Sequence, residues 1–252
     1  MATVAIGDVH GNSAALDDLL SQLTSEVGAG DVVVFLGDYI DRGPNTKECV
    51  ERIIALQDET AGSVVCLCGN HDDWLLRTLR DYRQHTWLLA TDAFETIRSY
   101  SIDAADALRA AVARAGPALF RNDCPLPYEV FFDRMPDTHL RFFESLRSYY
   151  QGSGCICTHG GLDPGISSVQ EQTRHALMWG AGGFPDKYDG PDTVVYGHRN
   201  NAVLNAEGWP SPAIVGRTIG VDTIAHGVLT AVRLPDWRVF QSARYEARDP
   251  DV

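Results

Sequence analysis

The chain has 252 residues, 44% of them hydrophobic, enough to bury the core of one large domain or two small ones. Its formal charge of -13 argues against a surface that coats nucleic acid, which is normally basic. No apolar run approaches the roughly 20 residues of a membrane-spanning helix. No basic segment with a long apolar core precedes the first strand-like run either, so a cytoplasmic protein without membrane or nucleic-acid partners is expected.

The first seventy residues repeat one design. Thr3–Ile6 reads as a strand, Gly7–Asn12 as a turn, and Ser13–Leu23 as a helix with Leu16, Leu19, Leu20 and Leu23 on one face. Val32–Leu36, Gly37–Asn45 and Thr46–Gln57 repeat the order, the helix carrying Val50, Ile53, Ile54 and Leu56. Ser63–Leu67 is the third strand, followed by the turn Gly69-Asn70-His71-Asp72 and a helical pattern from about Asp73. Strands and helices alternating at this length predict βαβ units on a parallel sheet. Ser13 and Thr46 are the expected helix N-caps.

Residues 73–150 read as a helical insertion within a single domain spanning 1–252. Trp74, Leu75, Leu79 and Tyr82 suggest one helix, Ala104–Ala115 another, and Asp137 could cap a third carrying Leu140, Phe143, Leu146 and Tyr150. Between them, Asn122–Tyr128 reads as a loop. Strands resume at Cys155–Thr158, Thr193–Tyr196, Ala213–Val215, Ile219–Val221, Val228–Leu234 and Arg238–Gln241, the later ones expected to be antiparallel. The pairs Cys66/Cys68 and Cys155/Cys157 are spaced by one residue, unlike a zinc ribbon or redox motif. They read as small buried residues of a reduced protein, each pair on one face of its strand.

Five turns, each just after a strand, carry the chemistry: Gly7-Asp8-Val9-His10-Gly11, Gly37-Asp38 continuing to Asp41-Arg42-Gly43, Gly69-Asn70-His71-Asp72, His159-Gly160-Gly161 and Gly197-His198. Strand ends of a parallel sheet converge on one edge, where ligands bind. Asp8, His10, Asp38, Asn70, His159 and His198 could then ligate metal. Their oxygens and imidazoles suit manganese, iron or zinc more than calcium, and six ligands suit two ions sharing a bridging carboxylate.

These blocks resemble the signatures of calcineurin-like metallophosphoesterases, and Asp41-Arg42-Gly43 resembles the phosphoprotein-phosphatase branch, with bacterial and bacteriophage lambda phosphatases closest in block order and spacing. The blocks span residues 7–198, and Gly220–Leu234 resembles the end of bacterial members. The resemblance implies an α/β fold of two β-sheets packed as a sandwich and flanked by helices. It implies two divalent ions, manganese foremost, the first held by Asp8, His10 and Asp38, the second by Asp38, Asn70, His159 and His198. A hydroxide between them would attack phosphorus directly, His71 would protonate the leaving oxygen with Asp41 orienting it, and Arg42 would clamp the phosphate. The substrates implied are phosphoserine or phosphothreonine proteins, phosphotyrosine, or small phosphomonoesters. The alternatives are symmetrical hydrolysis of dinucleoside tetraphosphates and, more remotely, a non-catalytic metal-binding scaffold.

The chain departs from that pattern at Cys68, where such phosphatases usually carry arginine, and at Gly180–Gly183 after Trp179, where another arginine is usual. Arg199, after His198, is the expected substitute anchor. Trp74, Trp87, Phe94 and Tyr100 of the insertion are expected to pack in its core, with stacking on a base as the other role open to them.

Overall fold

In the computed structural model, which describes residues 1–121 and 124–245, alternation along each strand sorts side chains between two cores. Strand β1 (Thr3–Ile6) sends Val4 and Ile6 toward helices and Ala5 toward a second sheet. Strand β2 (Val32–Phe35) sends Val33 and Phe35 to the helical side and Val32 and Val34 to the other. The period of two thus leaves both faces of the sheet apolar, as a sheet covered on both sides requires.

Helix α1 (Ser13–Leu23) follows β1, helix α2 (Thr46–Glu59) follows β2, and strand β3 (Ser63–Cys66) leads into helix α3 (Asn70–Arg80). The N-caps are one residue earlier than expected. Asn12 Oδ1 accepts from the Ala15 N–H, and Asn45 takes the N-cap position of α2. The shorter seryl and threonyl side chains at 13 and 46 already lie within the first turn. Likewise α3 begins at Asn70, so Asn70 and His71 occupy a first helical turn and not the turn before it.

Short helices α4 (Thr86–Ala90) and α5 (Ala93–Tyr100), then α6 (Ile102–Ala115), α7 (Glu129–Phe132) and α8 (Asp137–Glu144), fill the segment up to strand β4 (Tyr149–Gly152). Of the loop expected over 122–128, residues 122 and 123 lie outside the described residues; 124–127 carry no regular structure.

Strand β5 (Cys155–Thr158), helix α9 (Arg174–Trp179), strand β6 (Thr193–Tyr196), the small hairpin β7 (Val203–Leu204) and β8 (Pro210–Ser211), then β9 (Ala213–Val215), β10 (Thr218–Gly220), β11 (Thr230–Leu234) and β12 (Arg238–Gln241) complete the described order. The sheets run β12-β11-β1-β2-β3 and β4-β5-β6-β10-β9. Strands β1, β2 and β3 are parallel, as are β5, β6 and β10, and antiparallel strands close the outer positions. The expected antiparallel tail is therefore divided. β10 pairs parallel to β6, whereas β11 and β12 cross to the first sheet.

The sheets pack on each other through Ala5, Val34, Leu36, Cys155, Cys157, Val195, Ile219 and Val232. Cys155 and Cys157 share this interface as their spacing predicted, but β3 stops at Cys66, so Cys68 escapes the strand period. All six cysteines are free. The two-sheet sandwich flanked by helices is the expected fold class. No helix among the described residues is long and apolar enough to cross a membrane.

Candidate metal centre

Backbone hydrogen bonds tie the strand-end turns together before any side chain acts. The N–H groups of Val9 and His10 both donate to the Asp38 carbonyl, at 3.1 and 2.9 Å. Asp72 Oδ2 accepts from the N–H groups of Asp38 and Gly69, at 2.8 and 2.9 Å, and Oδ1 from that of Tyr39 at 3.3 Å. One buried carboxylate thus pins the second turn to the third. His198 N–H donates to both oxygens of Asp8, at 3.2 and 3.1 Å, closing the first turn onto the last. Gly69 has no room for a side chain, since a Cβ there would overlap Asp38 Oδ1. Gly69→Ala is expected to push Asp38 aside and lower metal-dependent activity at least tenfold, measured as rate against metal concentration.

Five residues of these turns, His10, Asp38, Asp41, Arg42 and His198, have positive φ, between 43° and 76°. None is glycine, so each is held in a sparsely populated conformation by its surroundings. Such strain concentrates where side chains must be aimed at a ligand.

The aim converges on Asp38. Its Oδ2 lies 3.6 Å from His10 Nε2, 3.8 Å from His71 Nε2 and 3.5 Å from His159 Nε2. His10 Nε2 also lies 4.0 Å from Asp8 Oδ2, and His159 Nε2 lies 3.1 Å from Asn70 Oδ1. The ring of His198 packs 5.1 Å from that of His159. Two overlapping clusters could each hold an ion: His10, Asp38 and His71, and Asp38, His159 and His198. All six expected ligands are brought together. The geometric clusters share Asp38, as a bridging role requires, but His71 stands among the ligand atoms where Asp8 was expected.

The second ring nitrogens separate the histidines. His10 Nδ1 faces the Ile40 carbonyl at 2.7 Å, and His159 Nδ1 the Leu36 carbonyl at 3.0 Å. An N–H donated there leaves each Nε2 lone pair free to ligate. His71 Nδ1 instead faces the Asp41 carboxylate at 2.7 Å, which favours the imidazolium. Burial holds the pKa of His10 well below normal. That of His198 is pushed down to about 3, by burial first and then by His159. Both are therefore neutral, the ligating form. Burial opposes the charge on Asp38, yet His159, His71 and His10 outweigh it and hold its pKa below the usual carboxylate range. For His71 the same contest favours charge. Burial lowers its pKa, but Asp38 and the hydrogen bond with Asp41 raise it above normal.

The donor set fits divalent cations. His10 Nε2 is buried with no partner. Asn70 Oδ1 and His159 Nε2, both acceptors in the tautomer just derived, sit 3.1 Å apart, the spacing of neighbouring ligands on an ion about 2.1 Å from each. Asp8 is pushed up by burial, by Asp222 and by Asp38, a crowding of carboxylates that a cation relieves. Manganese at a hundred times its dissociation constant is expected to stabilise the native state by about 2.7 kcal/mol. Thermal melting with and without a chelator tests this, and an unmoved midpoint would exclude a native-state cation site.

The expected positioning residue Asp41 is fully buried, and the segment 73–150 surrounds it. Trp87 Nε1–H donates to both its oxygens at 3.1 Å, and Thr96 Oγ1 donates to Oδ1 at 2.7 Å. Sequence reading does not single out Thr96, and it offers Trp87 core packing or base stacking but not this hydrogen bond, because residues so far from the turn carry no local signal. It also passes over Asp72, visible as the last residue of its block, and Asp222, a strand-end aspartate like the others. Asp222 is buried after β10. Its Oδ2 accepts from the Asn200 N–H at 2.6 Å, and its Oδ1 has no partner.

Arg42 is exposed beside a cavity of about 270 Å³ that His10, Asn12, Asn45, Ile224 and Tyr245 also line, and it forms no ion pair among the described residues. Arg199, the expected substitute anchor, donates to the Trp179 carbonyl at 2.6 Å. Phe94 and Tyr100 pack against the helical core, in contact with Arg109 and Phe131 respectively.

A helix-flanked double sheet with Asp, Asn and His converging at parallel strand ends defines a class of metal-site α/β proteins. The chain belongs to the calcineurin-like phosphoesterase family, whose model matches residues 1–227. It is 35% identical over 101 residues to a candidate serine/threonine-protein phosphatase of Caenorhabditis elegans, covering 36% of this chain and 21% of that protein. It is 37% identical over 81 residues to a symmetrical bis(5'-nucleosyl)-tetraphosphatase of Pseudomonas fluorescens, covering 32% of this chain and 26% of that protein. The matched stretch thus spans about a quarter or less of either relative. The structure of a candidate diadenosine tetraphosphatase shares the fold with a TM-score of 0.62 at 19% identity, over 97% of this chain and 94% of that one.

Proposed function

We propose that this chain, as a single domain with 73–150 inserted, is a metal-dependent phosphatase that hydrolyses phosphomonoesters, including phosphoserine, phosphothreonine and phosphotyrosine. The observation that carries this reading is Asp38 Oδ2 standing 3.5 to 3.8 Å from three imidazole Nε2 atoms. Asp8, His10, Asp38, Asn70, His159 and His198 are the ligands, for manganese foremost. The ions, when bound, supply an acidified water and neutralise phosphate charge. His71 holds a proton on Nε2 for the leaving oxygen, and Asp41 orients and charges that ring through Nδ1. Arg42 provides an unpaired guanidinium for phosphate oxygens. Arg199, already bonded to a carbonyl, is at most a secondary anchor.

A second reading, symmetrical hydrolysis of dinucleoside tetraphosphates, draws support from Cys68. This side chain is buried next to Gly69; burial pushes its pKa up and keeps it a neutral thiol, and cysteine carries no positive charge in either protonation state, so it supplies no cation where a phosphoprotein phosphatase would hold one. The Pseudomonas relative carries the corresponding name. Phosphate release by the manganese-loaded protein from p-nitrophenyl phosphate, a phosphoserine peptide and diadenosine tetraphosphate tests both. Cleavage of the first two supports the phosphatase. Cleavage of the dinucleotide alone supports the second reading, and activity on none overturns both in favour of a scaffold.

A further inference from the structure

Two tryptophans border the candidate metal centre without belonging to it. Trp74 lies three residues after His71 on α3, and its ring centroid is 5.9 Å from that of His71. Trp179 closes α9 and meets the ring of His198 edge-on at 4.8 Å. The two indoles are 5.5 Å apart with their planes inclined at 48°. They therefore form a continuous aromatic line from the expected proton donor to an expected metal ligand. Both are only partly buried, unlike Trp87, which is sealed in the core. The N–H groups of Trp87 and Trp209 are bonded to Asp41 and Gln241, whereas those of Trp74 and Trp179 take no partner among the described residues.

The backbone beneath them is fixed. Arg174, opening α9, donates to Asp73 Oδ1 on α3 at 2.7 Å, and Asp73 is itself buried. Arg199 ties its guanidinium to the carbonyl of Trp179. Two large, partly wet aromatic faces on a braced helix pair accept a flat ring with little loss of side-chain entropy, because neither indole has to be ordered first.

We propose that Trp74 and Trp179 form a ring-binding subsite that stacks a planar aromatic group of the substrate beside His71. The site thereby favours phosphate esters and anhydrides that carry a nucleobase or an aryl ring over alkyl phosphates. This inference rests on the hydrolase reading above and sharpens its substrate class. Stacking on an aromatic side chain accounts for roughly a tenfold or larger change in affinity per ring.

The test compares wild type, Trp74→Leu, Trp179→Leu and the ring-preserving Trp179→Phe, all loaded with manganese. Diadenosine tetraphosphate, p-nitrophenyl phosphate and glycerol 2-phosphate are the substrates. Each leucine variant is expected to raise KM for a ring-bearing substrate about tenfold relative to that for glycerol 2-phosphate, and Trp179→Phe to restore part of it. A rise confined to the dinucleotide identifies a base; a rise confined to the nitrophenyl ester identifies an aryl ring. Equal changes on all three substrates, or none, would overturn the subsite. Quenching of indole fluorescence by AMP is read in parallel, with circular dichroism to confirm folding. If wild type hydrolyses nothing, the hydrolase reading fails, yet quenching that weakens about tenfold in the leucine variants still supports the subsite and its absence in wild type removes it.

Discussion

Asp38→Asn is expected to lower kcat/KM at least ~10³-fold, the order expected when a metal's contribution of several kcal/mol is lost. The substitution keeps the shape of the side chain and one carbonyl oxygen. It removes the negative charge toward which three imidazoles point and the second oxygen with ligand character. Both candidate clusters contain Asp38, so both ions should weaken together. Metal analysis after gel filtration should show bound manganese falling well below that of wild type, with circular dichroism unchanged. By contrast, His198→Ala touches only one of the two clusters and should spare part of the metal content. Equal metal content and activity within tenfold of wild type for Asp38→Asn would remove the bridging role.

His71→Gln is expected to reduce kcat by about 10²- to 10⁴-fold on an alkyl phosphate, the range for a lost general acid. The loss should be smaller on p-nitrophenyl phosphate, whose leaving group departs without a proton. The pH profile follows from the environment of His71. Its pKa stands above the ordinary value, against burial, because of Asp38 and Asp41. Cations on Asp38 offset its share and leave Asp41 as the partner. An acid must be protonated, so activity is full below this raised pKa and falls as pH rises through it. Asp41→Asn withdraws the favouring charge and should move that basic limb to lower pH while lowering kcat. A limb unmoved in Asp41→Asn, or a leaving-group dependence in His71→Gln identical to wild type, would assign the proton to another group.

β1, β5, β6, β9 and β12 fall at the expected residues, the first three because burial on both faces leaves a short, largely apolar run and the last two because turn residues bound them. The apolar runs of β2 and β3 extend one residue past the strands, to Leu36 and Leu67. The six ligand candidates were legible for a related reason. Each closely follows an apolar run, five of them in turns and Asn70 at the start of α3, so knowing the strand is enough to know where its end lies. Helix caps were less legible, since Asn12 and Ser13, or Asn45 and Thr46, are all capping residue types and only backbone angles choose between neighbours.

Most of the strand succession and the chemical types at five strand ends were determined by the sequence alone, because hydrophobic period and turn chemistry are local properties; β4, whose Tyr150 reads as the end of a helix, and the short β7 and β8 were not. Only the tertiary structure decided that β10 would stay with the second sheet while β11 crossed to the first. It also decided that Trp87 and Thr96, 46 and 55 residues from Asp41, would supply its hydrogen bonds. The same holds for the positive φ angles that aim His10, Asp38 and His198, and for the meeting of Trp74 with Trp179. Each of these depends on contacts between segments distant in the chain, and the packing of both cores sets them, not the propensity of any one residue.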